Sequence, residues 1–394
     1  MLPRNGLFFI SDYRDVTCDP GRDPSFWILK ALNKDASFDV HSTANTISYR
    51  HCFENIDFLP LNFRGSINIQ IPKYNYSIYK AYKKVESKVN VIHHCEKFQY
   101  EKGYNLIPLL SNLDDKNLII GPVQFPHKVF ENDYLVGKAG LERIIHKSVF
   151  KSKYLLNPLF STLFKKTIMD ADKVIVPNQY VKKSVKKYVS PKDIKIINYG
   201  VDLELYNNYS YCADENNFKI VFPSMAIERK GVEYLLNAIS ILKNDYPSVK
   251  LCLLSNGYLI NMYKKMSEEM GISENVFFYG TMSKKDYLDF LSGCRILCLP
   301  TLSEGYGWTI LDALCLGVPV VTTDKCGCPE LFENGNIGSI VKSGDSYALA
   351  EAISKLFENY DLCKKLSENG LRKREQYDYG KIVFEYLELY EQFK

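Results

Sequence analysis

The stretch "SEGYGWTILDALCLGVPVV", residues 303–321, decides the fold of this sequence. An apolar run at 295–300 precedes it and indicates a buried strand. A turn with two glycines follows, then residues with the apolar spacing of a helix, and then a second strand-like run. Strand, glycine turn, helix and strand in this order are typical of parallel βαβ units. Ligands bind beyond the carboxyl ends of strands in such sheets, so the turn lies where a site is expected.

The residue types of this turn suit a ligand that carries both hydroxyl and phosphate groups. Gly305 and Gly307 permit a sharp turn and a close approach of the ligand to the backbone. The helix that follows directs N–H groups and the positive end of its dipole towards an anion. Glu304 can accept hydrogen bonds from hydroxyls, and Asp312 lies more than one turn into the helix. The set could contact a sugar, a diphosphate and a ribose, and the alternative is a glycine turn with two solvated acids.

A pair of cations follows another predicted strand of the same half. The run at 218–222 indicates a strand, and Arg229 and Lys230 stand soon after it, where a helix ending near Leu242 begins. Arginine binds phosphate through two parallel hydrogen bonds and lysine supplies a point charge. Cations at a helix start are opposed by the helix dipole. Because an anionic ligand would remove this conflict, we expect the pair to bind phosphate.

The composition predicts a globular protein of two domains. The chain has 394 residues, too many for one ordinary core, and 46% of them are hydrophobic. Its 50 basic and 46 acidic residues give a net charge of +4, too slight to indicate nucleic-acid binding. No apolar run approaches the length of a membrane span, and the 11 cysteines have no zinc-ligand spacing. These observations predict a cytoplasmic location.

The N-terminal half also has the pattern of an α/β domain. Short apolar runs at 7–10, 89–92, 117–120 and 173–176 indicate strands separated by wider intervals than in the second half. His93 and His94 follow one of these runs, at a strand end where a site is expected. The alternative interpretation is that one histidine of this pair lies in the core and the other is exposed.

Several motifs together resemble one enzyme family. The segments "SMAIERKGVEYLLNAI", "LPTLSEGYGWTILDALCLGVPVVTTDKCGCPELF" and "DADKVIVPNQYVKKSVKKY" are similar to those of the retaining nucleotide-sugar glycosyltransferases of family 4. The resemblance covers about 165–345 and implies an α/β protein with the GT-B fold, in which two Rossmann-like domains face a central cleft. It implies an acceptor-binding domain at 1–203, a nucleotide-sugar-binding domain at 204–372, and a C-terminal helix at 373–394 that packs back on the first domain.

The resemblance also implies roles for individual residues. Glu304 would contact the donor sugar, Arg229 and Lys230 the departing diphosphate, and either His93 or His94 the transferred sugar. The remaining donor-binding residues implied by the family are Gly21, Arg22, Gly280, Thr281, Gly305, Tyr306, Gly307, Trp308, Thr309, Asp312 and Glu330. No cofactor is expected, because the nucleotide sugar is a co-substrate.

Asp312 departs from the family pattern, in which a glutamate stands at its position and holds the ribose. An aspartate is one methylene shorter, so a ribose contact would need a water molecule or a shifted helix. Arg229 would supply a charge that the family often places at Met225, and Tyr199 stands where asparagine is usual. These departures affect the expected binding of the donor, and they leave the expected fold unchanged.

Metal-dependent chemistry is the alternative raised by Asp170 and Asp172. The Asp-x-Asp form is used by glycosyltransferases of another fold to hold a divalent ion. An isolated carboxylate pair is a poor magnesium site, however. We therefore expect no metal, with Arg229 and Lys230 supplying the positive charge that the leaving group needs.

The segment 143–187 has eleven lysines and arginines and only two acids, with leucine and phenylalanine residues among them. A basic face of this kind predicts peripheral contact with anionic lipid, and a solvated helix face is the alternative. The expected partners are thus a nucleotide-diphosphate sugar, a glycan, lipid-linked or small-molecule acceptor, and a membrane surface. Two other functions stay open, namely a nucleotide-sugar-binding subunit without activity and a related GT-B epimerase or phosphorylase.

Overall fold

A computed structural model describes residues 5–11, 24–35, 37–44, 53–61, 67–95, 98–99, 104–124, 158–327, 329–333 and 337–393. These residues form two compact units. The first takes its residues from Met1–Pro126, Lys151–Asp202 and Gln376–Lys394, and the second from Leu203–Glu375. The sequence analysis expected the domains to end at residues 203 and 372, and the two units divide after Asp202 and after Glu375.

The first unit is built on a seven-stranded sheet of order β3-β2-β1-β4-β6-β8-β9, with every strand pair parallel. Its strands are β1 (Asn5–Ile10), β2 (Phe38–Ala44), β3 (Ile56–Pro60), β4 (Val91–His94), β6 (Asn117–Ile120), β8 (Lys173–Val176) and β9 (Ile194–Ile196). The short strands β5 (Phe98–Gln99) and β7 (Val123–Gln124) pair with each other. The central strands are apolar and buried on both faces, as a parallel sheet covered by helices requires.

The helices of this unit cover two hydrophobic clusters, one on each face of the sheet. They are α1 (Pro24–Leu32), α2 (Ile67–Lys83), α3 (Ile107–Leu110), α4 (158–169) and α5 (Gln179–Val185). The last helix of the chain, which is numbered α13 below, belongs to the same unit.

The second unit has a six-stranded parallel sheet of order β12-β11-β10-β13-β14-β15. Its strands are β10 (Lys219–Phe222), β11 (Lys250–Leu253), β12 (Val276–Phe278), β13 (Ile296–Leu299), β14 (Val320–Thr323) and β15 (Gly338–Val341). Its helices are α6 (Val232–Leu242), α7 (Ile260–Glu269), α8 (Lys284–Ser292), α9 (Trp308–Leu316), α10 (Glu330–Glu333), α11 (Ser346–Glu358) and α12 (Tyr360–Lys373). The two Rossmann-like α/β sheets confirm the predicted fold class.

One fully buried arginine joins distant parts of the second unit. Arg295 donates from Nη2 to the carbonyl oxygen of Leu356 at 2.9 Å and from Nη1 to that of Asp214, also at 2.9 Å. Leu356 lies in the last turn of α11, where backbone carbonyls have no partner within the helix. The guanidinium therefore donates to carbonyls at a helix end, and these hydrogen bonds compensate its burial.

The final helix α13 (Tyr379–Glu391) belongs to the first unit and packs on its core. Its buried face includes Ile382, Tyr386 and Tyr390, which join the cluster that α1 and the sheet form. The ring of Tyr379 stacks on Trp27 with centroids 5.8 Å apart. The helical spacing of the apolar residues in the tail had predicted this face.

The decisive stretch folds as its pattern predicts, with small shifts at the ends. The predicted strand at 295–300 is β13, and the predicted helix from 307 to 315 is α9, which begins at Trp308. The helix after Arg229 and Lys230 begins at Val232, because these two residues form a separate 3-10 turn that ends at Gly231.

No helix in the parts of the chain that the structure describes combines the length and the apolar character needed to cross a membrane.

Candidate functional site

The strand order of the second unit reverses between β10 and β13, since β11 and β12 lie on one side and β14 and β15 on the other. In open parallel sheets, ligands bind at such a switch point, outside the carboxyl ends of the strands. The chain leaving β10 carries Arg229 and Lys230, and the chain leaving β13 carries Glu304. The residues singled out from the sequence therefore meet at the expected place.

Glu304, Arg229 and Lys230 form one ion cluster. The ammonium of Lys230 donates to Glu304 Oε2, and Arg229 Nη1 lies 3.6 Å from the same oxygen. The side chains of Glu304 and Lys230 are only 12% and 9% exposed, so these charges interact through a medium of low polarity. The Glu304 carboxylate is an anion that compensates both cations.

Backbone hydrogen bonds fix the two loops that carry this cluster. The carbonyl of Arg229 accepts from Leu302 N at 2.8 Å and from Thr301 Oγ1 at 3.0 Å. Gly231 has φ = 67°, and a side chain there would place Cβ 2.2 Å from the carbonyl oxygen of Pro300. A glycine is therefore needed for the two loops to approach, and their contact sets the position of the cations.

A third loop, after β14, is joined to Glu304 in the same way. Glu304 N donates to Lys325 O at 3.0 Å, and Gly327 N donates to Glu304 O at 2.8 Å. A Cβ on Gly327 would lie 2.1 Å from the carbonyl oxygen of Gly305, so this glycine allows the turns to touch. The Glu304 carboxylate thus projects from a backbone that is held from both sides.

The helix α9 begins directly at this turn. Gly307 precedes it with φ = 74°, a left-handed conformation that favours glycine. Trp308 and Thr309 form the first turn and are partly exposed, whereas Gly305 and Tyr306 are buried. The N-terminus of α9 therefore lies beside Glu304 and its two cations, an arrangement suited to a phosphate group.

The structure corrects the role expected for Asp312. Its side chain is fully buried, and Oδ1 accepts hydrogen bonds from Tyr206 Oη at 2.5 Å and from Lys284 Nζ at 3.0 Å. A ribose contact would require the fully buried carboxylate to become accessible, which would disturb this buried charge pair at a cost in free energy. The shorter aspartate side chain stays inside the protein, where Lys284 compensates its charge.

The other predicted donor residues fall at the same edge of the sheet or outside the described residues. Gly280, with φ = 75°, and Thr281 follow β12, and Gly280 is partly exposed whereas Thr281 is exposed. Glu330 opens α10, and its carbonyl accepts from the buried Lys373 Nζ at 2.5 Å. The predicted contacts of Gly21 and Arg22 lie outside the described residues, and so does the histidine at 127.

The structure also corrects the role expected for His93 as a residue that meets the sugar. The ring is fully buried between the sheet and α13, with Nε2 2.8 Å from the carbonyl oxygen of Gly121 and Nδ1 2.6 Å from Tyr390 Oη. A carbonyl only accepts, so Nε2 carries the proton and the tyrosine donates to Nδ1. Burial lowers the pKa of His93 to about 4. His93 therefore serves as a neutral core residue.

His94 points to the opposite face of β4 and is also buried, against the alternative that one histidine is exposed. Asn105 Nδ2 lies 3.2 Å from His94 Nδ1, and Asn105 Oδ1 accepts from Ile107 N at 2.9 Å, which fixes the orientation of the amide. Nδ1 is thus the acceptor and Nε2 carries the proton. Burial, together with the neighbouring His93, lowers the pKa of His94 to about 3.

The Asp170–Asp172 pair lies at the other edge of the first sheet. Asp172 immediately precedes β8, and its Oδ2 accepts from the backbone N–H of Leu118 at 2.7 Å. This carboxylate completes the hydrogen bonding at the amino ends of two strands, away from the edge where ligands bind. Among the residues that the structure describes, no group of three or more His, Cys, Asp or Glu side chains could hold a metal ion.

The sequence analysis did not identify three functional candidates, namely Lys284, Tyr206 and Asn105. Tyr206 and Asp312 are 106 residues apart, so no local pattern joins them. Lys284 stands beside a second lysine, and helical spacing alone does not show which of the two is directed at α9.

Comparison with known proteins finds a family similarity in the second unit. Residues 210–373 match the family described as Glycosyl transferases group 1. The matched residues make up most of the second unit, which is therefore similar to the proteins of that family. The matched segment contains the ion cluster, the N-terminus of α9 and Asp312, so the site described above lies within it.

Relatives and solved structures extend the similarity beyond this matched segment. EpsD of Bacillus subtilis (strain 168) is 28% identical over 176 residues, 45% of this chain and 46% of that protein, so the chain spans about half of EpsD. The uncharacterized glycosyltransferase MJ1178 of Methanocaldococcus jannaschii is 26% identical over 337 residues, 80% of this chain and 88% of that protein.

The fold is shared with enzymes of known structure. Anabaena Alr3699/HepE in complex with UDP superposes with a TM-score of 0.69 at 15% identity and covers 98% of this chain and 100% of that chain. Sucrose-phosphate synthase from Thermosynechococcus elongatus gives a TM-score of 0.68 at 18% identity, with 99% of both chains covered. At these identities the likeness concerns the fold, which is that of the GT-B glycosyltransferases.

Proposed function

We propose that the chain is a retaining hexosyltransferase of family 4 that moves a sugar from a nucleotide-diphosphate sugar to an acceptor hydroxyl. The acceptor is a glycan, a lipid-linked saccharide or a small molecule. The observation that carries this proposal is the convergence of Glu304, Arg229 and Lys230 at the N-terminus of α9, at the switch point of the sheet. The group 1 match and the UDP complex of a protein with the same fold support a nucleotide-sugar donor.

The ion cluster suits the two halves of a sugar diphosphate. The diphosphate would take the place of the Glu304 carboxylate beside Arg229 and Lys230 and would also face the first N–H groups of α9. Glu304, released from its cations, would accept hydrogen bonds from the sugar hydroxyls. Charge builds up on the diphosphate as the bond to the anomeric carbon breaks, and preorganised cations stabilise that charge.

The transfer itself is balanced without an added reagent. The bond between the anomeric carbon and the diphosphate oxygen breaks, and its electron pair leaves with the diphosphate. The acceptor oxygen forms the new bond on the same face of the sugar, and its proton passes to the leaving diphosphate oxygen. Neither histidine is assigned to the transferred sugar, because both ring nitrogens of His93 are bonded within the core and His94 is buried with its Nδ1 bonded to Asn105.

Metal independence is part of the proposal. The cations of the cluster supply the positive charge that a divalent ion supplies elsewhere. Asp172 is bonded to the backbone of β6, at the amino ends of the strands of the first sheet. Transfer should therefore continue in excess chelator at its rate in untreated buffer. Complete loss on chelation, restored by magnesium or manganese, would show that a metal takes part.

A panel of nucleotide sugars tests the function directly. The full chain is incubated with uridine, adenosine and guanosine diphosphate hexoses, with and without saccharide acceptors, and release of the nucleoside diphosphate is measured. Acceptor-dependent release with a retained anomer by NMR supports the proposal. Binding without release would indicate a nucleotide-sugar-binding subunit, a changed sugar on an intact nucleotide would indicate an epimerase, and an inverted product would contradict retention.

Peripheral membrane contact through the basic segment stays part of the proposal. The described portion of this segment includes Lys182, Lys183 and Lys186 on and beside α5. Co-sedimentation with vesicles of anionic lipid, compared with neutral vesicles, tests it. Equal binding to both vesicles, or to neither, would contradict an electrostatic contact.

A further inference from the structure

The strongest unexplained feature of the second unit is a buried carboxylate that is paired with a partly exposed cation. Lys284 Nζ lies 3.0 Å from Asp312 Oδ1 and 3.2 Å from Tyr206 Oη. The ammonium also lies over the rings of Tyr206 and Tyr287, with centroids at 5.2 and 5.4 Å. Asp312 is completely buried, whereas the Lys284 side chain is 28% exposed. The lysine is thus the member of the pair that is accessible from the protein surface.

Its place in the fold relates this cation to the proposed donor site. Lys284 begins α8, directly after the exposed loop that leaves β12 with Gly280, so it lies at the carboxyl edge of the sheet. Asp312 lies in α9, whose N-terminus stands beside the Glu304 cluster. Four residues separate Trp308 from Asp312, which is a rise of about 6 Å along the helix. A nucleotide whose diphosphate occupies the helix N-terminus would therefore extend past Lys284.

The energetics favour the lysine over the aspartate as the ligand contact. Asp312 is completely buried, so a ribose hydroxyl could reach its carboxylate only after a rearrangement around the buried ion pair, which is costly. Lys284 can contact a hydroxyl oxygen as a donor while Asp312 continues to hold it. The flanking aromatic rings restrict the lysine further, which lowers the entropy lost on binding.

We propose that Lys284 contacts the ribose of the donor nucleotide and that Asp312 and Tyr206 act as positioning residues for it. This inference rests on the proposed function, since it names the residue that binds the nucleoside part of that donor. It predicts that discrimination between ribose and deoxyribose depends on a cation and not on an acid.

The test uses calorimetric titration of the full chain with UDP, ADP and GDP, then with the 2′-deoxy form of whichever binds best, and with inorganic pyrophosphate. Removing Lys284 alone would leave a buried carboxylate uncompensated, so the lysine is removed as Lys284→Met with Asp312→Asn. Asp312→Asn alone keeps the lysine. Lys285→Met, at the adjacent exposed position, is the matched control. Thermal unfolding establishes that each variant is folded.

The double variant should bind the ribonucleotide about tenfold or more weakly, the scale of one charge-assisted hydrogen bond. Its preference for ribose over deoxyribose should fall towards one, and its pyrophosphate affinity should match the wild type. Asp312→Asn should retain most of the preference, and Lys285→Met all of it. An unchanged double variant contradicts the inference, as does an equal loss in Asp312→Asn, which would make the aspartate the ligand.

Two further outcomes are distinguishable. Weaker binding of ribo- and deoxynucleotide by the same factor would place Lys284 at a phosphate and overturn the ribose assignment. A folded wild-type chain that binds none of the three nucleoside diphosphates would contradict the proposed function itself, and with it this inference.

Discussion

Replacing Glu304 by glutamine separates the two tasks assigned to the ion cluster. The glutamine keeps the size of the side chain and removes its charge, so Arg229 and Lys230 lose their anion. Transfer should fall by about 100-fold or more, because a carboxylate that contacts the donor sugar is gone. At the same time, affinity for pyrophosphate should rise, because the carboxylate no longer competes with the diphosphate for the cations.

The structure sets the scale of both effects. At the 3.6 Å separation of Arg229 Nη1 and Glu304 Oε2, two unit charges attract by about 4–5 kcal/mol at an effective dielectric constant of about 20, before desolvation is subtracted. Loss of one partner from a fully buried pair costs about 3–5 kcal/mol. Since Lys230 and Glu304 keep about a tenth of their exposure, we expect about 3 kcal/mol of lost stability. For a unit of this size that lowers Tm by about 6–12 °C.

Thermal unfolding with and without pyrophosphate measures the competition. An anion that binds only the folded state at 100 times its Kd stabilises by about 2.7 kcal/mol, and a tenfold gain in affinity adds about 1.4 kcal/mol. Pyrophosphate should therefore raise the Tm of Glu304→Gln by more than that of the wild type. Glu351→Gln, which removes an exposed acid on α11, is the control and should behave as the wild type.

If Glu304→Gln unfolds at the wild-type temperature, the cluster contributes no net stability. If pyrophosphate stabilises both proteins equally, the carboxylate does not compete with a phosphate ligand, and the account of donor binding is refuted.

The remaining predictions concern the cations and the core of the first unit. Replacing both Arg229 and Lys230 by alanine should lower kcat by about 100-fold, roughly 3 kcal/mol of transition-state stabilisation, with little change in acceptor KM. Steady-state kinetics measures both constants, and a change in acceptor KM alone would contradict this prediction. His93 and His94 have pKa values lowered to about 4 and about 3 by burial, so between about pH 6.5 and pH 4 the unfolded chain binds more protons than the folded chain. The free energy of unfolding should then fall on acidification by about 1.4 kcal/mol per pH unit for each histidine, as urea titrations would show, and a flat profile in this window would contradict neutral burial. Tyr390→Phe removes the donor to His93 Nδ1 and should destabilise the first unit by about 1–3 kcal/mol in urea, leaving pyrophosphate binding unchanged; equal stability would contradict this contact.

The sequence was most informative where chemistry follows the backbone closely. The glycine turn and the two charged loops could be predicted, because parallel strands place their carboxyl ends at one edge and only glycine permits the close loop contacts at Gly231 and Gly327. The final helix was predictable as well, since its apolar residues recur at helical spacing and therefore need a core to cover.

The partners of Asp312 could not be predicted. Tyr206 and Lys284 come from elements distant in sequence, and whether a carboxylate is solvated or buried depends on those tertiary neighbours.

The burial of the two histidines could not be predicted either. Successive residues of a strand face opposite sides, so only one of His93 and His94 could meet α13, but the register of β4 against that helix depends on tertiary packing.

Acceptor-dependent release of a nucleoside diphosphate tests the central claim most directly. The wild-type chain and the variant with Arg229→Ala and Lys230→Ala are assayed with the nucleotide-sugar panel, and Lys250→Ala, at the amino end of β11, serves as the control. The account predicts release by the wild type and the control with at least one donor, and about 100-fold slower release by the variant. Equal release by all three proteins, or none by the folded wild type with any donor and acceptor, would contradict it.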